Sequence, residues 1–157
     1  MVGAARALAG LGVHKRMSAQ YNVWIVTGLL ARLRLPEGPR RTAALAAWFQ
    51  GLYPAGRAPV LVGGAAAQLH ARSDCAPDDL DFVGDVTPPV AERLRKLGFR
   101  EDGRRWLLES DRVVLDIPAA GLPDGATCVF LDIDDIRVLV ASRDDVPGCA
   151  GDAIGGS

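Results

Sequence analysis

Apolar residues in the first third of the chain recur at helical spacing. Residues 4–34 are rich in helix formers, and the prolines and glycine at positions 36–39 end that stretch. A second helix is predicted over residues 41–52, where apolar side chains recur every three or four positions. We therefore assign residues 1–55 to an N-terminal helical segment.

The pattern then changes to short apolar runs. Residues 59–62 are continuously apolar, as in a buried strand, and residues 65–71 form a helix of small side chains. A second strand is predicted at Leu80–Val83, followed by a helix over residues 90–97. Strands and helices thus alternate in the middle of the chain.

Two hairpins are predicted after these elements. The first joins residues 104–109 to 112–117 through a polar turn, and the second joins residues 127–133 to 136–140 through Asp134-Asp135. This order predicts an α+β domain whose mixed β-sheet has helices on one side and is preceded by N-terminal helices.

The predicted domain core spans residues 56–145. The glycine-rich residues 146–157 are predicted to be a disordered tail. Because a terminal hairpin leaves one sheet edge unpaired, we expect the N-terminal helices, a protein partner or a second copy of the chain to cover that edge.

The amino-acid composition of the chain argues against some classes of function. The chain has 18 basic and 19 acidic residues and a net charge of −1, which argues against binding duplex nucleic acid through bulk positive charge. The 3 cysteines are odd in number and have no metal-site spacing, so we expect free thiols and a cytoplasmic location. No apolar run is long enough to suggest a membrane span.

Three aspartates stand in apolar surroundings. Asp79 and Asp81 are two residues apart on the second strand, so their side chains share one face. Asp116 interrupts the apolar run 113–117, and on a neighbouring strand it would complete a cluster of three carboxylates. Because adjacent carboxylates repel and oxygen ligands suit Mg²⁺ (or Mn²⁺), the three residues form a candidate metal site.

A second candidate feature follows the first strand. Gly63, Gly64 and Ala65 open a helix whose free N–H groups can approach a phosphate closely. Arg72 and His70 end the same helix, and either can reach a phosphate from there. The alternatives stay open: a tight strand-to-helix turn for the glycines, and basic residues facing the helix dipole for the other two.

Another aspartate pair has the same spacing but a different context. Asp132 and Asp134 are also two residues apart. However, Asp134-Asp135 falls where the last hairpin turns, and aspartates are common in turns. We therefore predict a structural turn there and leave these acids out of the candidate site.

These motifs together resemble the nucleotidyltransferase superfamily, which has the polymerase-β-like fold. The resemblance rests on the strand and turn Val60-Leu-Val-Gly-Gly, on Asp79-Leu-Asp and on the later Asp116, and it covers about residues 59–145. The residues of these motifs are most similar to those of small bacterial nucleotidyltransferase-like proteins, several of which belong to toxin–antitoxin and phage-defence systems.

The resemblance implies Mg²⁺-dependent transfer of a nucleoside monophosphate from an NTP to a hydroxyl group of RNA, protein or a small molecule. Asp79 and Asp81 would hold the metal, and Asp116 would hold a second metal or take the proton of the acceptor. Gly63, Gly64 and Ala65 would position the triphosphate, and Arg72 would contact it.

The resemblance also leaves an alternative open. Active members usually carry Ser where this chain has Ala65, and helices usually follow the core where this chain ends soon after Asp145. The alternative function is a catalytically weak or inactive protein of the same fold, either an antitoxin-like partner or a regulatory nucleotide-binding module.

Overall fold

The computed structural model describes residues 28–75 and 77–145. Contacts divide the chain into residues 1–34 and 35–157, and of the first unit only residues 28–33 are described as helical. The rest of the predicted N-terminal helices, Cys149 and the predicted tail lie outside the described residues. No described helix is both long enough and apolar enough to cross a membrane.

The second unit contains three helices and seven strands. In chain order they are α1 (Pro39–Gln50), β1 (Val60–Val62), α2 (Gly63–Ala71), β2 (Leu80–Val83), α3 (Pro88–Lys96), β3 (Arg100–Asp102), β4 (Arg105–Leu108), β5 (Val113–Ala119), β6 (Cys128–Ile133) and β7 (Ile136–Ala141). Short 3₁₀ turns at Glu109–Asp111 and Arg143–Asp145 follow β4 and β7.

All seven strands form one mixed sheet in the order β3-β4-β5-β2-β1-β7-β6. The pairs β2/β5 and β1/β7 are parallel, and the other neighbours are antiparallel. The predicted α+β class and mixed sheet are therefore confirmed. Both predicted hairpins are present, as β4–β5 and β6–β7.

One face of the sheet carries the hydrophobic core. Leu61 pairs with Phe82 across β1 and β2, and Leu115 of β5 pairs with Leu80 and Trp106 on the neighbouring strands; all five are buried on the same face. Several alternate residues of these strands, such as Val62, point to the opposite face and are only half-buried, whereas Asp116 on that face is buried. Helix α1 packs on the first face through Phe49, which contacts Phe82, and the second face is more open.

Helix α1 packs against this sheet and is not part of a separate N-terminal segment. Phe49 packs against Phe82 with ring centroids 4.7 Å apart. Gln50 Nε2 donates hydrogen bonds to the carbonyl oxygens of Pro59 (2.9 Å) and Leu139 (2.7 Å), and its Oε1 accepts one from Leu139 N (3.1 Å). The observed division after Arg34 thus differs from the predicted boundary after residue 55, because α1 contributes to the core.

Strand β3 was not predicted. Its residues Arg100, Glu101 and Asp102 are all exposed, so they show no alternation of apolar and polar side chains. The strand exists because it pairs with β4 through a turn at Gly103, which has a positive φ of 60°. Arg104 belongs to the turn between the two strands, and Arg105, the first residue of β4, pairs with Asp102 of β3 on one side and with Asp116 of β5 on the other.

Candidate functional site

The three predicted carboxylates converge on the open face of the sheet. Asp81 on β2 pairs with Asp116 on β5, and Asp79 lies in the bend directly before β2, two residues from Asp81. Each side chain offers an oxygen such that all three oxygens lie within 4.8 Å of one another. The spacing of two residues aligned the first pair, and the parallel register of β2 and β5 added the third acid.

Two of these carboxylates contain buried oxygens that accept no hydrogen bond. They are Oδ1 of Asp81 and Oδ1 of Asp116, and the Asp116 residue is only 5% exposed. Arg104 Nε lies 2.9 Å from Asp116 Oδ1 but is not directed at it well enough to form a hydrogen bond. Buried carboxylate oxygens normally have partners, so these two atoms are candidate ligands.

Gly63 leaves the space into which Asp81 projects. A Cβ at position 63 would lie 2.7 Å from Asp81 Oδ2, and the φ of Gly63 is +67°. Any side chain here would therefore collide with the carboxylate and also strain the backbone. The predicted strand-to-helix glycine is thus required by its contact with the acid cluster.

The surroundings of Asp81 raise the pKa of its carboxyl group. Burial, followed by the charges of Asp116 and Asp79, raises the pKa of Asp81 above its ordinary value, and Arg104 and Arg105 partly oppose this shift. A bound cation would favour the ionised form and counteract both causes.

The donor set fits a hard divalent cation. Three carboxylates supply oxygen ligands, two of their buried oxygens lack a hydrogen-bond partner, and the glycine keeps side chains away from Asp81. Oxygen ligands of this kind are those that Mg²⁺ and Mn²⁺ prefer. We conclude that Asp79, Asp81 and Asp116 are chemically suited to hold such an ion.

The start of α2 lies against this cluster. Gly63 is the first residue of the helix and contacts Asp81, so the free N–H groups of the first turn are close to the acids. Gly64 has no close neighbour that would restrict a side chain. The side chain of Ala65 is fully buried in the core, so only its backbone is available to a ligand.

The basic residues at the other end of α2 lie away from the cluster. A helix of nine residues is about 13 Å long, which separates Arg72 from Gly63. Arg72 donates a hydrogen bond to the carbonyl oxygen of Asp132 (2.9 Å), and His70 Nε2 donates one to that of Ala141 (2.7 Å). The structure therefore does not bring Arg72 together with the other site residues, and its phosphate contact stays a prediction.

Two arginines that the sequence analysis did not single out face the acids instead. Arg105 pairs with Asp116 across β4 and β5, and its Nε lies 3.9 Å from Asp116 Oδ2. Its terminal nitrogen lies 4.0 Å from Asp79 Oδ2, and Arg104 approaches Asp116 from the preceding turn. The first predicted hairpin could have indicated these two arginines. Arg104 and Arg105 stand at its start, and residues at the start of a hairpin lie opposite those near its end, where Asp116 stands.

The second aspartate pair is confirmed as structural. Asp134 adopts a φ of 56° in the turn between β6 and β7, and Asp134 and Asp135 both form ion pairs with Arg40 on α1. Asp132 is exposed and pairs with Arg137 at 3.1 Å. Asp134 and Asp135 thus form surface contacts between the hairpin and α1, and Asp132 forms one within the hairpin.

A small pocket adjoins the acid cluster, and a larger cleft lies further along β2. A pocket of about 70 Å³ adjoins Asp79, between α1 and the starts of β2 and β5. A larger cleft of about 790 Å³ lies at the other end of β2, next to Val83 and Gly84. A substrate held by the three acids would therefore be bound on the open sheet face.

Comparison of the chain with protein-family models, with curated proteins and with solved structures gave no match in any of the three.

Proposed function

We propose that this chain is a Mg²⁺-dependent nucleotidyltransferase that moves a nucleoside monophosphate from an NTP to an acceptor hydroxyl. The observation that carries the proposal is the convergence of Asp79, Asp81 and Asp116 within 4.8 Å, directly beside the start of α2 at Gly63. A cation site and a helix N-terminus at one position are together suited to a metal-bound phosphate chain.

Each residue has a distinct task in this proposal. Asp79 and Asp81 hold the ion, and the backbone N–H groups at Gly64 and Ala65 hold phosphate oxygens. Mg²⁺ bound there supplies charge that offsets the negative charge developing on the phosphates during transfer. Asp116 is only 5% exposed, which favours a role in holding the ion over one as a base that must reach the acceptor.

The proposed reaction needs no reactant besides the NTP and the acceptor. The acceptor oxygen forms a bond to the α-phosphorus and releases its proton to solvent water, and the bond from that phosphorus to the bridging oxygen breaks. Pyrophosphate leaves with the electrons of the broken bond. The open sheet face around the acids is compatible with an acceptor as large as RNA or protein.

The first experiment measures binding and transfer together. We expect the protein to bind ATP or another NTP in the presence of Mg²⁺ by titration calorimetry, and to transfer label from α-³²P-NTP to an acceptor. Asp81→Ala and Asp116→Asn should abolish both, whereas Asp132→Asn, at an exposed acid outside the cluster, should change neither. NTP binding that is equal in all four proteins would remove the site assignment.

A second candidate function is supported by the last hairpin. Within the described residues, β6 is an edge strand of the sheet, and it exposes Val129 and Phe130, the latter to 63%. An apolar edge strand can pair with another chain. An inactive, antitoxin-like or regulatory protein of this fold would use such a surface for its partner or for a second copy.

The two candidates make different predictions for the same samples. A partner protein should show no label transfer, and Phe130→Glu should shift its mass in light scattering from an oligomer to a monomer. The enzyme should keep its transfer activity in that variant.

The cytoplasmic location expected for either function agrees with the free thiols of Cys75 and Cys128.

A further inference from the structure

Two guanidinium groups lie where the acid cluster meets solvent. Arg104 Nε is 2.9 Å from Asp116 Oδ1, and Arg105 lies 3.9 Å from Asp116 Oδ2 and 4.0 Å from Asp79 Oδ2. The two arginines are thus the cations that face the carboxylates in this structure. Three acids and two arginines leave one negative charge uncompensated among these five groups.

The arginine side chains can move although their backbone is held in place. The carbonyl oxygen of Arg104 accepts a hydrogen bond from Ile117 N (3.0 Å), and Arg105 is part of the β4–β5 ladder. Their side chains nevertheless remain 61% and 50% exposed. A long exposed side chain can reorient within nanoseconds without any change in the sheet.

These positions create a competition for the same oxygens. A divalent cation that binds the three carboxylates must take oxygen atoms that the arginines now approach, and the guanidinium groups are then repelled by the ion. Phosphate oxygens held beside that ion offer the arginines an alternative partner, because a guanidinium matches phosphate in charge and in its forked geometry.

We propose that Arg104 and Arg105 are exchangeable partners of the cluster, which pair with Asp116 and Asp79 first and bind the triphosphate of the NTP once a divalent cation occupies the acids. The inference rests on the proposed function and adds to it the residues that recognise the phosphate chain. These residues replace Arg72, which lies at the far end of α2, as the basic groups of the site.

The proposal predicts opposite effects on two ligands of the same site. Replacing Arg104 and Arg105 together by Gln should strengthen binding of Mn²⁺ alone by about threefold or more, because a competing positive charge is removed. The same change should weaken binding of Mg²⁺-ATP by at least about tenfold, because charge-assisted hydrogen bonds to phosphate are lost. A purely structural role would weaken both.

Two further protein variants and a second nucleotide make the test specific. Arg104→Lys keeps the positive charge but not the fork, so Mn²⁺ affinity should stay near that of the wild type while Mg²⁺-ATP affinity falls. Arg100→Gln, at an exposed arginine of β3 that pairs with Glu109 in the 3₁₀ turn after β4, should leave both affinities unchanged. AMP should be much less sensitive than ATP to the loss of Arg104 and Arg105, since it lacks the outer phosphates.

The measurements are Mn²⁺ binding by electron paramagnetic resonance and nucleotide binding by calorimetry, on variants whose fold is checked by circular dichroism. If the wild type binds no Mg²⁺-ATP, the proposed function and this inference both fail. If the wild type binds it and the double variant binds it equally well, only the inference is overturned. Unchanged or weaker Mn²⁺ binding in the double variant overturns the exchange. If the double variant does not fold, Arg104→Gln and Arg105→Gln are measured singly, and Mn²⁺ binding that is strengthened in neither overturns the exchange.

Discussion

Neutralising Asp81 should make the protein more stable while destroying the proposed metal site. Asp81 lies within 4.8 Å of carboxylate oxygens of Asp79 and Asp116. At an effective dielectric constant of about 20, two unit charges at that distance repel by about 3.5 kcal/mol. Asp81→Asn removes both repulsions, and its new N–H groups can donate to the neighbouring carboxylates.

Part of this gain is offset by lost attraction. Arg104 and Arg105 also act on Asp81, and the site is open to solvent on one side, which screens every term. We therefore expect the variant to exceed the wild type in free energy of unfolding by about 1–2 kcal/mol in EDTA. For a domain of this size the melting temperature should rise by about 2–8 °C.

Adding Mg²⁺ should reverse the order of the two proteins. A ligand that binds only the folded state stabilises it by about 2.7 kcal/mol at a hundred times its dissociation constant, which is more than the advantage of about 1–2 kcal/mol expected for the variant in EDTA. The wild type should gain this stability, and the Asp81→Asn variant should gain none. Asp132→Asn is the matched control, because that acid is exposed and its ion pair with Arg137 contributes little.

The pH dependence gives an independent check. Because the pKa of Asp81 is raised in the folded state, the folded protein retains its proton to higher pH than the unfolded chain does. Wild-type stability relative to the variant is therefore lost as pH rises from about 4 through the raised pKa, and the two proteins converge at lower pH. Denaturation in urea with EDTA, repeated between pH 4 and 8, measures this difference.

Two results would refute the reasoning. An Asp81→Asn variant that is less stable than the wild type in EDTA at neutral pH would show that repulsion does not dominate the cluster. An equal rise in melting temperature for both proteins on adding Mg²⁺ would show that the ion binds elsewhere.

Two further predictions concern the residues that support the site. Gly63→Ala should lower the free energy of unfolding by about 2 kcal/mol or more, because its Cβ would lie 2.7 Å from Asp81 Oδ2 at a φ of +67°. Gly64→Ala is the control in the same urea titration, and an equal loss in both variants would contradict the steric argument. Gln50→Leu should cost about 2–5 kcal/mol, since it leaves the buried N–H and C=O of Leu139 without their side-chain partner. A loss below about 1 kcal/mol would mean that water replaces these bonds.

Much of the site followed from local rules. An apolar run, two glycines and a helix of small residues predicted the strand, turn and helix at Val60–Ala71, and each of these elements is present. The spacing of Asp79 and Asp81 placed both acids on one face, because side chains alternate along a strand. The turn at Asp134-Asp135 followed from the residues that turns prefer, and its positive φ agrees with that interpretation.

Other features depended on pairing between distant segments. The charged strand β3 has no periodic pattern because none of its side chains is buried, and it is recognisable only by its hydrogen bonds to β4. The packing of α1 against the sheet likewise depends on contacts between distant residues. The side chain of Gln50 forms hydrogen bonds with Leu139 of β7, which lies 89 residues further along the chain. An amphipathic helix shows that it has a buried face but not which surface covers it.

The sequence by itself determined which side chains are neighbours within one strand, turn or helix, because backbone geometry sets those positions over a few residues. It therefore predicted the helices and strands other than β3 in the described core, and it indicated that the first two acids are neighbours. Only the tertiary structure decided that β2 and β5 are parallel neighbours with Asp81 opposite Asp116, and that Arg105 lies opposite Asp116 on the other side. Strand order and register are selected by the packing of the whole core, since a shift of one residue would turn the buried side chains to the open face and the acids into the core.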